Sequence, residues 1–366
     1  MSMPALHAPS RLQGVDLARG LAVLGMLAAH LLDIEPFDGS RPETWIDLAN
    51  GRSSILFATL AGVSIALVTG GPRPVAGPAL RTARSRLAVR AVLLWLIGIA
   101  LIATGVPVYV ILPAYAILFL LAVPLVTLGA RTLWVLAAIL GLGMPWVQPF
   151  LDSAPLWQTD AGHDLALLLG WHYPVTVWIA FLVAGMAAGR SGLRARRTQL
   201  TLLVGGAAAA LIGYGLDAAA STFGLPGGAL FAAVWTAAPH SSGLLEVVGS
   251  GGLALATLAV CLLVCRTPLT RLVLPLRAVG SMPLTAYVGQ LVAWAIAAAV
   301  LLGDTGDLFG FRGLEPFWPF VAATVALCTV WALVRGRGPL ESLIAWIGRR
   351  AAPDRGSAVD ADRLGG

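Results

Sequence analysis

Asp16, Arg19 and His30 stand in one apolar stretch, RLQGVDLARGLAVLGMLAAH, residues 11–30. An ionisable group inside a membrane helix costs a few kcal/mol or more unless it is paired or hydrated, so three together point to function. Arg19 and His30 are eleven positions apart. That is close to three helical turns, so they share one face at a separation of roughly 16 Å. Asp16 lies three residues before Arg19, within reach of an ion pair. On such a face a guanidinium can hold an anion. An imidazole with an ordinary pKa of about 6.5 can act as a general base or carry an acyl group. The plainer alternative is an anchoring ion pair at one interface and an interfacial histidine at the other.

A second set of polar residues marks the ends of other apolar blocks. Arg52, followed by Ser53 and Ser54, opens RSSILFATLAGVSIAL at the level of His30. It could bind a carboxylate or phosphate, stabilise a developing oxyanion, or pair with a loop acid. His30, Arg52 and Asp16 form the candidate catalytic set. GWHYPVTVW supplies His172, APHSSGLLEVVGS supplies His240 and Glu246, and GSMPLTAYVGQ supplies Tyr287. These four are candidate substrate-binding residues, with interhelical hydrogen bonding as the competing role for Tyr287. No P-loop, GxGxxG, HExxH or CxxC pattern occurs, so nucleotide hydrolysis and structural metal have no motif behind them, and no metal is expected. Cys261, Cys265 and Cys328 fall inside apolar blocks, as buried small hydrophobes do.

The elements that must position these residues are membrane helices. The chain is 58% hydrophobic and 11% charged, with a mean hydropathy of +0.84, where a soluble domain carries about 25% charge. Apolar blocks separated by short polar segments predict an all-α polytopic membrane protein with about ten spans. They are placed at 14–34, 52–70, 87–105, 108–128, 131–149, 173–189, 199–216, 244–264, 280–302 and 317–335. Residues 1–13 form a tail, 14–335 the transmembrane domain, and 336–366 a second tail with a short amphipathic helix. Arginines gather in alternate connections, among them Arg73, Arg81, Arg84, Arg190, Arg277 and Arg337. Acids such as Asp33, Asp47, Asp152, Asp217 and Asp304 gather in the others. The positive-inside rule then puts both termini in the cytoplasm, Asp16 and Arg19 near the inner side, and His30, His172 and His240 near the outer side. This distribution accounts for the net charge of +6 without a nucleic-acid partner. The partners expected are the lipid bilayer of an inner or plasma membrane and a small-molecule substrate; a homodimer is left open.

With these residues in hand, the chain resembles a superfamily of transmembrane acyltransferases. Arg11, Asp16, Arg19, Gly20 and His30, as R-x4-D-x2-RG-x9-H, look like the start of the heparan-α-glucosaminide N-acetyltransferase family and its bacterial relatives. LFATLAGVSIAL is similar to that family's second span. The Arg19-x10-His30 spacing is also similar to the acyltransferase-3 family, and GSMPLTAYVGQ resembles an element of a related, largely uncharacterised bacterial membrane family. The resemblance implies transfer of an acetyl group from cytoplasmic acetyl-CoA to a sugar or other cell-envelope acceptor on the far side of the membrane. Arg19, with Arg81, Arg84 or Arg86, would hold the CoA phosphates. The family's animal lysosomal member has Asn at the position of His30 and its active histidine in the next loop. Here that loop, DIEPFDGSRPETW, has no histidine, so the chemistry falls to His30. The competing class is a small-molecule transporter or lipid-intermediate flippase, which ten spans with intramembrane charges also fit.

Overall fold

The computed structural model describes residues 11–223 and 228–353. The first ten residues, with His7, and the tail after Pro353 lie outside the described residues. The chain runs through α1 (Gln13–Leu31), α2 (Arg52–Val68), α3 (Gly77–Ile102), α4 (Leu112–Leu125), α5 (Ala130–Asp152), α6 (Asp160–Leu169), α7 (Val175–Arg190) and α8 (Arg196–Phe223). It continues through α9 (Ala229–Val234), α10 (Leu244–Val264), α11 (Leu269–Leu272), α12 (Leu274–Ser281), α13 (Pro283–Leu301), α14 (Leu308–Gly313), α15 (Phe317–Val334) and α16 (Pro339–Ala351). Among the described residues there is no strand.

Among the described residues, eight helices are long and apolar enough to cross a membrane: α1, α2 with the 3-10 turn before it, α3, α5, α8, α10, α13 and α15. Two more, α4 and α7, are apolar but shorter. The protein is an all-α, multi-pass membrane protein. The short pair has a physical reason. At 14 and 16 residues they reach only roughly 21 and 24 Å, and irregular backbone takes the place of their missing first turns. Such backbone is tolerated at membrane depth only where it is buried in protein or lines a cavity. Here Pro107, Val108 and Tyr109 before α4, and His172 and Tyr173 before α7, line one.

Two close approaches set the position of the site. A side chain on Gly280 of α12 would run into the Asp16 carbonyl and the Gly20 nitrogen of α1. The α1 and α12 backbones therefore touch beside the Asp16–Arg19 pair. Gly62 of α2 and Gly185 of α7 meet in the same way, each leaving no room for a Cβ against the other helix. Interfaces of small residues are how membrane helices gain contact without a hydrophobic drive.

Two arginines expected as loop charges are instead buried. Arg190, 3% exposed, donates to the carbonyls of Ala66, Thr69, Gly71 and Val126 and to the Thr69 hydroxyl. It thereby satisfies backbone carbonyls left over where α2 and α4 end, and a cation suits the negative end of a helix. Arg277, fully buried in α12, donates to the Thr270 carbonyl and hydroxyl at 2.9 and 3.0 Å. α16 packs against α3 and α13. Its Glu341 accepts hydrogen bonds from the Leu284 and Thr285 backbone N–H groups at 2.8 and 3.1 Å, capping the start of α13.

Candidate active site

Two cavities lie at the two ends of the α1 face that carries Arg19 and His30. The first, about 170 Å³, collects His30 from the end of α1, Tyr109, His172 and Tyr173 from the segments before α4 and α7, His240, and Arg312 from α14. The His172 ring stacks on Tyr109 at 3.8 Å between centroids and lies 5.0 Å from the His240 ring. Tyr173 meets His240 edge-on at 5.6 Å. Three histidines expected from separate segments thus share one cavity. Among the described residues, no group of three His, Cys, Asp or Glu side chains is arranged to hold a metal ion.

His240 owes its place to Glu246. Each Glu246 carboxylate oxygen accepts a backbone N–H, from His240 at 2.6 Å and from Ser242 at 2.7 Å. The chain at both residues is left-handed, with φ of 61° and 56°, a conformation that costs non-glycine residues energy and persists only where neighbours hold it. Glu246, 3% exposed, is therefore a positioning residue for the His240 loop. It does not line the cavity, so substrate contact is not where the structure puts it.

His240 has its Nδ1 buried with no hydrogen-bond partner among the described residues. Burial, with smaller contributions from His172 and His30, lowers its pKa to about 4. Burial also lowers His172. Unfolded, His240 would protonate near pH 6.5; folded, it stays neutral to about pH 4. Stability is therefore complete above pH 6.5 and falls as the pH drops toward 4, by on the order of 2 kcal/mol at pH 5. Thermal unfolding in detergent between pH 7.5 and 5 checks this. His240→Gln is expected to flatten the decline, and equal slopes in the two proteins would remove His240 as its source.

The second cavity, about 850 Å³, opens at the other end of α1. Asp16, 2% exposed, accepts from Arg11 Nε and Nη2 and from Arg19 Nη1, the last at 3.2 Å. Arg19 Nη2 also donates to Ser64 Oγ of α2 at 2.7 Å. The cavity is lined by seven arginines (Arg11, Arg19, Arg86, Arg90, Arg194, Arg337 and Arg349) against two carboxylates, Asp16 and Glu341. Arg81 and Arg84 are not among them. Arg81 is exposed and Arg84 donates to the Val123 carbonyl, while Arg86 and Arg90 occupy the cavity face of α3. The i,i+4 spacing of Arg86 and Arg90 is the signal for this face.

Packed aromatic residues of α4 and α2 lie between Arg90 of this cavity and Ser54 of the other. The Arg90 guanidinium lies 5.3 Å from the Phe119 ring centroid. One turn along α4, Tyr115 stacks on Phe57 at 5.5 Å and donates to the Ser54 carbonyl at 3.4 Å. Ser54 lines the histidine cavity. Tyr287, 3% exposed, accepts the Ile111 backbone N–H at 3.4 Å. It lines neither cavity, so its hydroxyl serves packing at the start of α4. Arg52 also points elsewhere. Its Nε donates to Tyr214 Oη at 2.7 Å and its Nη1 to the Asp47 carbonyl at 2.7 Å, outside the His30 cavity. A loop acid and a tyrosine claim that guanidinium, which leaves Arg312 as the arginine beside His30.

The fold and the site define a multi-pass helical membrane protein with an arginine-lined cavity at one end of α1 and a histidine-lined cavity at the other. A family model described as heparan-alpha-glucosaminide N-acetyltransferase, catalytic, matches residues 11–216, more than half of the chain, and the chain belongs to that family. A second model, of a protein of unknown function, DUF418, matches residues 188–350. No curated protein matches the chain. The histidine cavity draws on both stretches: His30 and His172 lie in the first, His240 and Arg312 in the second.

Proposed function

We propose that the protein moves an acetyl group from acyl-CoA, held in the arginine-lined cavity on the cytoplasmic side of a cell membrane, to a hydroxyl or amine of a cell-envelope acceptor such as a sugar. The observation that carries this reading is the pair of cavities at the two ends of one face of α1. The cationic cavity suits a donor rich in phosphate, because guanidinium groups bind phosphate through paired, charge-assisted hydrogen bonds. A thin thioester arm then extends past Tyr115 and Phe119 toward His30. There His30 takes the proton of the attacking hydroxyl or amine, and the departing sulfur takes it back. Among the described residues no carboxylate claims the His30 ring, which faces the cavity half-buried.

The test is transfer of label from acetyl-CoA by protein purified into nanodiscs, with a panel of hydroxyl and amine acceptors. Labelled acceptor, together with a donor KM raised about ten- to a hundredfold by Arg19→Ala, supports the assignment. Absence of transfer to every acceptor, with no release of CoA, would favour the transporter class instead.

A further inference from the structure

We infer that Arg312 is a catalytic residue of the histidine cavity, stabilising the negative charge that develops on the acyl carbonyl oxygen when the acceptor attacks beside His30. The inference rests on the acyl-transfer reading above. Four observations carry it. Arg312 is the only Arg, Lys, Asp or Glu lining that cavity among the described residues. Its Nε and Nη2 both donate to the His30 backbone carbonyl, at 3.1 and 3.0 Å, which holds the guanidinium plane against the residue that does the proton transfer. It has no carboxylate partner among the described residues, whereas Arg41 pairs with Glu35 and Glu43, and Arg52 lies 4.0 Å from Asp47. Its Nη1 makes no hydrogen bond among the described residues, which leaves donors for an incoming oxygen.

The support behind Arg312 is rigid. Asp307 caps α14 by accepting the Gly310 N–H at 2.8 Å. Phe311, 1% exposed, stacks on Trp294 at 5.0 Å and 11° and meets Phe320 edge-on. The guanidinium is thereby fixed before the reaction begins, and a preorganised donor pays no reorganisation when the charge appears. In the step itself the acceptor lone pair adds to the thioester carbon while its proton passes to His30. The carbonyl π pair moves onto oxygen and is met by Arg312. When it returns, the carbon–sulfur bond breaks, and the sulfur leaves as thiolate and takes the proton from His30.

A structural role is also conceivable, because the His30 carbonyl lies in the last turn of α1, where a cation satisfies unbonded backbone oxygens. The experiment separates the two. In steady-state transfer assays Arg312→Ala is expected to lose 10²–10³-fold in kcat with donor and acceptor KM within threefold, and added guanidinium is expected to restore part of it. Arg312→Lys, which keeps the charge without the two-pronged bond, is expected to fall between. A lowered melting temperature with kcat per folded molecule unchanged would make Arg312 a helix cap and overturn the inference. A raised acceptor KM at constant kcat would make it a ground-state anion site and overturn it equally. If the wild-type protein transfers no acetyl group, the acyl-transfer reading fails before Arg312 is tested; if it does and Arg312→Ala matches it, only this inference fails.

Discussion

Replacing His30 by Ala is expected to lower acetyl transfer by about 10³-fold, while the protein folds and melts as before. The size follows from the loss of a general base at the reacting group, which is typically worth 10²–10⁴-fold. The specificity follows from geometry. His30 presents its ring to the cavity and contributes to the fold through its backbone carbonyl, which accepts from Arg312 and survives the substitution. Donor binding is expected to hold, because the arginines of the other cavity lie roughly 16 Å away along α1. Steady-state kinetics beside equilibrium binding of a CoA analogue make the test. A variant with wild-type kcat would move the chemistry away from α1 altogether. A variant that lost donor binding as well would mean that the two cavities are not independent.

The largest expected effect on the fold comes from a single methyl group. Gly280→Ala places a Cβ against the Asp16 carbonyl and the Gly20 nitrogen, both backbone atoms that no rotamer change can move. Overpacking typically costs 1–3 kcal/mol and sometimes more, and this position belongs at the upper end, near 3 kcal/mol. α1 must shift from α12, and Asp16 and Arg19 shift with it, so donor affinity is expected to fall together with stability. Gly289→Ala on the neighbouring α13 is the control, because a Cβ there meets open space. Thermal melting of both variants in detergent decides the matter: equal melting temperatures would mean that the α1–α12 contact yields at no cost.

The spans were legible because hydrocarbon-length apolar runs have few other uses, and Asp16, Arg19 and His30 stood out because charge inside such runs is costly. The same rule applies to Arg90, which lies within the third block, lines the arginine-rich cavity and faces the Phe119 ring. Its signal is present in the sequence, and only its neighbours show what it faces. Arg81 and Arg84 share its helix but not its face, a distinction of roughly a half and a third of a turn that charge counting along a connection ignores. Arg312 had no such signal. It follows a polar connection far along the chain, and only tertiary folding brings α14 to the end of α1. Arg52 has the opposite history: right in height and type, it is claimed by Asp47 and Tyr214, partners that sequence spacing alone could not select.

Arg190 carries one more implication. By binding carbonyls at the ends of α2 and α4 from its own place at the end of α7, it ties three helices together at one point. Two of them, α2 and α7, are also interlocked at Gly62 and Gly185. The opposite wall is tied as well: α16 is joined to α3 by the Arg86 bond to the Ala352 carbonyl and to α13 through Glu341. Both walls of the arginine-lined cavity are thus latched by side chains that hold backbone groups, so its shape rests on bonds to the chain and not on apolar packing alone.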